Sequence, residues 1–232
     1  GTNALTAVKI TTLPGAGTLQ DDGVNVTAGQ FVSLADINSG KLVFTPAGNA
    51  NGAAYASFTF QVEDDGGTAN GGVDLDTSAR TMTVNVTSVN DAPVGTSNTV
   101  TTLEDNAYTF TAADFGFTDP TDAASVAGAN ALTAVKIATL PGAGTLQDDG
   151  VNVTAGQFVS LADINSGKLV FTPVANANGA AYASFTFQVE DDGGTANSGV
   201  DLDTSARTMT VNVTSVNDAP VGTSNTVTVL EG

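Results

Sequence analysis

The chain nearly repeats itself after 127 residues, and this repetition limits its possible folds more than any other feature. Asn3-Ala4-Leu5-Thr6-Ala7-Val8-Lys9-Ile10 returns as Asn130-Ala131-Leu132-Thr133-Ala134-Val135-Lys136-Ile137. The register then holds without a gap to Glu104 against Glu231, with 97 of 102 positions identical. Only Thr11/Ala138, Ala47/Val174, Gly48/Ala175, Gly71/Ser198 and Thr102/Val229 differ. An active site is normally needed once, whereas near-identical copies suit a part used for length, spacing or multivalency. A 127-residue unit lies within the usual size of a domain and can bury a real core.

Composition removes whole classes of function. The 41% hydrophobic content is that of a globular chain, and no apolar run reaches membrane-spanning length, so no membrane insertion is expected in this segment. Net charge is −18, from 24 acidic and 6 basic residues, which argues against nucleic acid and anionic membrane surfaces as partners. There is no Cys, which excludes disulfides and thiolate metal sites, and no His, which excludes Ser-His, Cys-His and His-zinc arrangements. Neighbouring carboxylates such as Asp191 and Asp192 fall on opposite faces of a strand, and no Trp offers a sugar platform. The Gly-rich Pro14-Gly15-Ala16-Gly17 lacks the Lys-Ser/Thr of a phosphate loop and reads as a turn. The chain is not expected to be an enzyme.

Each copy shows short period-2 runs separated by turn residues, the mark of antiparallel strands. In 183–189 and 208–213 the apolar residues alternate with Ser, Thr, Gln and Asn. Further strands are predicted at 99–103, 107–111, 132–140, 144–147, 151–154 and 168–172, with a tight turn at Asp149-Gly150 and one helical turn at 160–164. Seven or eight short strands per unit predict an all-β protein of tandem Ig-like antiparallel β-sandwiches. Val89-Asn90-Asp91-Ala92-Pro93-Val94 recurs as Val216-Asn217-Asp218-Ala219-Pro220-Val221 and marks the boundary, with Pro93 suited to a stiff exit. The predicted organisation is a partial repeat at 1–92, a complete repeat at 93–219 and the first strand of a following repeat at 220–232. The partial copy has no counterpart of 93–127, so an open edge and an exposed core are expected there.

The acidic residues are clustered: Glu190-Asp191-Asp192 ends a strand, Asp119 and Asp122 follow Phe117, Asn90-Asp91 sits in the linker and Glu104-Asp105 ends the first strand. Loops meeting at the end of a sandwich are able to assemble the six to eight oxygens that calcium requires, and they equally serve as a solvated surface. The linker Asn-Asp-Ala-Pro, then Leu103-Glu104-Asp105, Phe117-Thr118-Asp119-Pro120-Thr121-Asp122 and Phe187-Gln188-Val189-Glu190-Asp191-Asp192-Gly193-Gly194 occur in this order. In that order the chain resembles bacterial cadherin-like repeats, which build the stalks of giant, type I-secreted surface adhesins often involved in biofilm formation. The resemblance implies a Ca2+ cluster from Asn90, Asp91, Asp119, Asp122, and Asp191 or Asp192 beside Glu190. It implies that Glu104, with Asn217 and Asp218, belongs to the next linker, and that Glu63, Asp64 and Asp65 repeat 190–192 in the partial copy. Ser88 and Ser215 stand where a cadherin linker carries Asp, which implies fewer ions per linker.

The function implied is a calcium-stiffened structural or extender repeat of an extracellular, cell-surface adhesin or filament, projecting a distal adhesive region. The alternative is a carbohydrate- or protein-binding module acting through its loops. The expected partners are neighbouring repeats of the same or an identical chain: residues 220–232 are expected either to begin a further repeat of a longer array, the favoured reading, or to be added as a strand, head to tail, to a second copy.

Overall fold

The computed structural model describes residues 2–232. Strands make up 40% and helices 10%, in several antiparallel sheets that form two β-sandwich units. One unit holds the residues through Ala92 together with Asp119–Ala131 and Asp192–Asp201; the other holds Pro93–Thr118, Leu132–Asp191 and Leu202–Gly232.

In the second unit one sheet orders Phe158–Ser160, Leu132–Ile137, Gly179–Asp191, Arg207–Thr214 and Asn98–Leu103 side by side. Its last pair is parallel, with Val100 opposite Val211 and Thr102 opposite Val213. The other sheet orders Val151–Asn152, Thr145–Asp148, Leu169–Thr172 and Tyr108–Thr109. Residues 93–118 therefore close one edge of each sheet. The predicted turn carries Asp149 at φ 50° and Gly150 at φ 77° and joins Thr145–Asp148 to Val151–Asn152. The predicted helical turn is Leu161–Asn165, capped by Ser160, whose Oγ accepts from Asp163 N at 3.1 Å.

Four strands are shorter than their patterns predict: 151–154 keeps Val151–Asn152, 168–172 keeps Leu169–Thr172, and two more are cut short by identifiable hydrogen bonds. The run at 132–140 leaves the ladder after Ile137, where Ala138 N and Thr139 N both donate to Thr186 O, at 2.8 and 3.3 Å. The run at 107–111 keeps only Tyr108–Thr109, because Thr111 N and Oγ1 donate to Asp114 Oδ2 at 2.8 and 3.0 Å and start the short helix Ala112–Phe115. That helix carries Phe115 into the core, edge-on to Phe187 at 5.0 Å, while Phe110 meets Phe185 edge-on at 5.6 Å.

In the first unit the homologous sheets are Phe31–Ser33, Leu5–Thr12, Gly52–Asp64 and Arg80–Val86, and Val24–Asn25, Thr18–Asp21 and Leu42–Thr45. Each sheet is one edge strand shorter than its counterpart. The same residues then meet a different environment. Met209 and Val189 are fully buried, whereas Met82 and Val62 are 45% and 38% exposed. Leu169, Phe171 and Phe187 are also fully buried, whereas Leu42, Phe44 and Phe60 are only partly covered. Arg80–Val86 is an edge strand paired only by Gly52–Asp64, and the core cluster of buried residues in this unit is Ile10, Leu19, Val26, Val32 and Phe58.

Identical side chains in two environments give a paired test. Met209→Ala should lower the stability of its unit by about 2–5 kcal/mol, and Met82→Ala by less than about 1 kcal/mol, because little apolar surface is covered there. Urea unfolding of the two variants, compared with the unaltered chain, measures both.

Candidate functional site

Asp119 precedes the short helix Pro120–Ala123, and Pro120 occupies the first helical position, where its missing N–H costs nothing. Asp122 lies in that helix, so one turn of backbone brings two carboxylates to one place. Both are buried, at 4% and 3% exposure. Asp119 Oδ2 accepts from Asn130 N at 2.6 Å, and Asp122 Oδ2 accepts from Asp91 N at 2.8 Å. Asn130 Nδ2 reaches Asp122 Oδ2 at 3.4 Å and also donates to Asn90 Oδ1. Asn90 is fixed in turn by Val200: its Nδ2 donates to Val200 O at 2.8 Å, and Val200 N donates to Asn90 O at 3.0 Å. Asp192 Oδ1 accepts from Ala131 N at 2.7 Å. All of these residues belong to the first unit.

Gly193 makes the packing possible. A Cβ there would run into the side-chain amides of Asn90 and Asn130. Beside them a cleft of about 140 Å³ is lined by Ser88, Asn90, Asp122, Asn130 and Gly193, among others.

The electrostatics of the site are one-sided. Lys41 pairs with Asp36 at 3.0 Å, Lys168 with Asp163 at 2.8 Å, Arg80 with Asp76 at 3.0 Å and Arg207 with the buried Asp203 at 2.9 Å. Lys9 and Lys136 lie over the rings of Phe31 and Phe158, at 5.4 and 5.6 Å. Those are all six basic side chains of the protein, each engaged elsewhere. Asp119 Oδ1 is buried and accepts no hydrogen bond. A buried carboxylate oxygen left in this condition is expensive unless a cation or a proton compensates it. Burial pushes the Asp122 carboxyl above its ordinary value of 3.8; the Asp91 N–H opposes this, and the nearby Asp119 and Asp91 charges add to it.

The remaining predicted residues fall into separate groups. Asp191 is buried at the end of Gly179–Asp191, opposite Leu132, and its carbonyl accepts from Thr133 Oγ1 at 3.1 Å. Glu190 is half-buried opposite Ala134. Glu104 is buried at 4% exposure, with Oε1 accepting from Val216 N at 2.5 Å and Oε2 from Asn178 Nδ2 at 2.7 Å. It thus grips the main chain of the following linker segment, while the side chains of Asn217 and Asp218 stand in solvent. In the first copy Asp65 Oδ1 accepts from Ala4 N at 2.8 Å, as Asp192 does from Ala131; Asp64 Oδ1 accepts from Gly66 N at 2.8 Å and Glu63 lies opposite Ala7. Among the described residues no three acidic side chains converge on one point.

Asn130, the residue that joins Asn90, Asp119 and Asp122, is absent from the sequence-derived set. Its only signal was its position, first in the repeated stretch and two residues before a strand. No protein-family model, curated protein or solved structure matches the chain.

The raised Asp122 carboxyl has a measurable consequence in chelator. Its protonated form favours the fold, so its contribution is present below the ordinary value of 3.8 and is lost as pH rises through the higher folded value. Asp122→Asn keeps the acceptor for Asp91 N and removes the charge. At pH 7 with chelator the variant should melt a few degrees above the unaltered protein, with the gap closing towards pH 4. Melting curves at both pH values check this.

Proposed function

We propose that the chain is a calcium-stiffened extender, a structural segment of an extracellular or cell-surface adhesin or filament whose copies set length and reach. The observation that carries this reading is the buried pair Asp119 and Asp122, one of whose oxygens lacks a partner while every basic side chain is engaged elsewhere. A hard divalent cation suits such oxygens, and it would complete its shell from Asn90, Asp91 and main-chain carbonyls. Asp91 belongs to the boundary sequence itself, and Asn130 ties Asn90 to the same carboxylates. An ion held there would draw the linker onto the loop and remove bending freedom. The near-identity of the two copies supports the same reading, because a spacer is improved by repetition and a catalyst is not.

Calcium is expected to stabilise the folded protein by mass action, about 2.7 kcal/mol at a free concentration one hundred times the dissociation constant. Elemental analysis of the purified protein should find bound calcium that excess chelator removes, with a fall in melting temperature. Asp119→Ala should lower the stoichiometry. Asp163→Ala should not, since Asp163 is already paired with Lys168 at 2.8 Å. Equal losses in both variants, or a melting temperature indifferent to chelator, would refute the assignment.

A further inference from the structure

We infer that Asn130 is a positioning residue: its side-chain amide ties the boundary segment Asn90-Asp91 to the Asp119–Asp122 turn before any ion arrives. The effect on calcium rests on the proposed function; the bridge itself does not. Asn130 reaches three residues of the candidate site. Its main-chain N donates to Asp119 Oδ2 at 2.6 Å, while its Nδ2 donates to Asn90 Oδ1 and reaches Asp122 Oδ2 at 3.4 Å. Two main-chain bonds complete the joint: Asp91 N donates to Asp122 Oδ2 at 2.8 Å, and Val200 N to Asn90 O at 3.0 Å.

The polarity of this network is set by groups that act in one way only. Val200 O accepts and cannot donate, so the end of the Asn90 amide facing it at 2.8 Å is Nδ2, and Oδ1 is the end that meets Asn130. A carboxylate likewise only accepts, so Asn130 presents Nδ2 to Asp122 as well. Asn90 Oδ1 keeps a second lone pair, and the bond from Asn130 aims this oxygen without consuming it. The charges of Asp91 and Asp119 both act against that of Asp122, and without a tie this repulsion would part the turn from the boundary segment. Gly193 lies against the bridge. Its φ is outside the left-handed region, so space and not backbone conformation requires a glycine: a Cβ would strike the amides of both Asn90 and Asn130.

Amide hydrogen exchange followed by NMR in excess chelator reads the bridge with no cation present. The N–H groups of Asp91 and Val200 should be protected in the unaltered protein. Asn130→Ala keeps the main-chain bond to Asp119 and removes the bridge, and should speed both exchanges by about five- to tenfold, the effect of losing one hydrogen bond. Gly193→Ala leaves both amides in place, wedges them apart and should do the same. Calcium titration reads the consequence: Asn130→Ala should raise Kd by about 10–100-fold while the number of ions bound at saturation stays the same. Exchange unchanged in both variants would overturn the inference. So would an unchanged Kd, or a lost ion, which would make Asn130 a ligand instead. If the unaltered protein binds no calcium while both variants still loosen the two amides, the bridge stands and the cation reading fails.

Discussion

Everything in the complete sandwich depends on how residues 93–118 close it. Asn98–Leu103 supplies a parallel edge to one sheet, Tyr108–Thr109 an antiparallel edge to the other, and Phe110 and Phe115 fill the space between them. Without that segment the same strands still pair, as residues 2–92 show, yet their inward faces are only partly covered. Strand pairing and core burial are thus separable here. The backbone ladder is satisfied by neighbours within the sheet, whereas the hydrophobic gain requires a second surface at about 10 Å.

Charge is the second constraint. With six basic residues against 24 acidic ones, the protein cannot neutralise its carboxylates internally. It spends its cations on surface turns, on two phenylalanine rings and on Asp203, whose Oδ2 also accepts from Gly95 N at 2.8 Å. Asp203 is therefore a structural carboxylate, fully occupied by the strand entry it holds. Asp119 and Asp122 are the contrasting case: equally buried, adjacent, and supported by amides instead of cations. Amide donors favour the charged form of a carboxylate but leave its net charge in place.

Glu104 links these two constraints. It ends the strand that closes the sheet, and its carboxylate takes the amide of Val216 and the side chain of Asn178. The residue that completes one core therefore also fixes the first residue of the following boundary sequence.

The period-2 patterns, the turn at Asp149-Gly150 and the Ser160 cap were legible in the sequence because each rests on a local rule: alternation, positive φ, and a hydroxyl aimed at a free amide. Comparing the copies also revealed which strands residues 2–92 lack. What local rules could not supply was the parallel sense of Asn98–Leu103, since pairing direction depends on a partner more than one hundred residues away. The early end of 107–111 was hidden for a different reason, as the Asp114 carboxylate competes there with the ladder. At the candidate site, the sequence by itself determined which acidic residues were available and the order in which they occur. Only the tertiary structure decided that Asn130 joins Asn90 to Asp119 and Asp122, and that Asp119 keeps an oxygen without a partner. Burial and hydrogen-bond satisfaction are properties of what surrounds an atom, and those surroundings come from segments far apart in the chain.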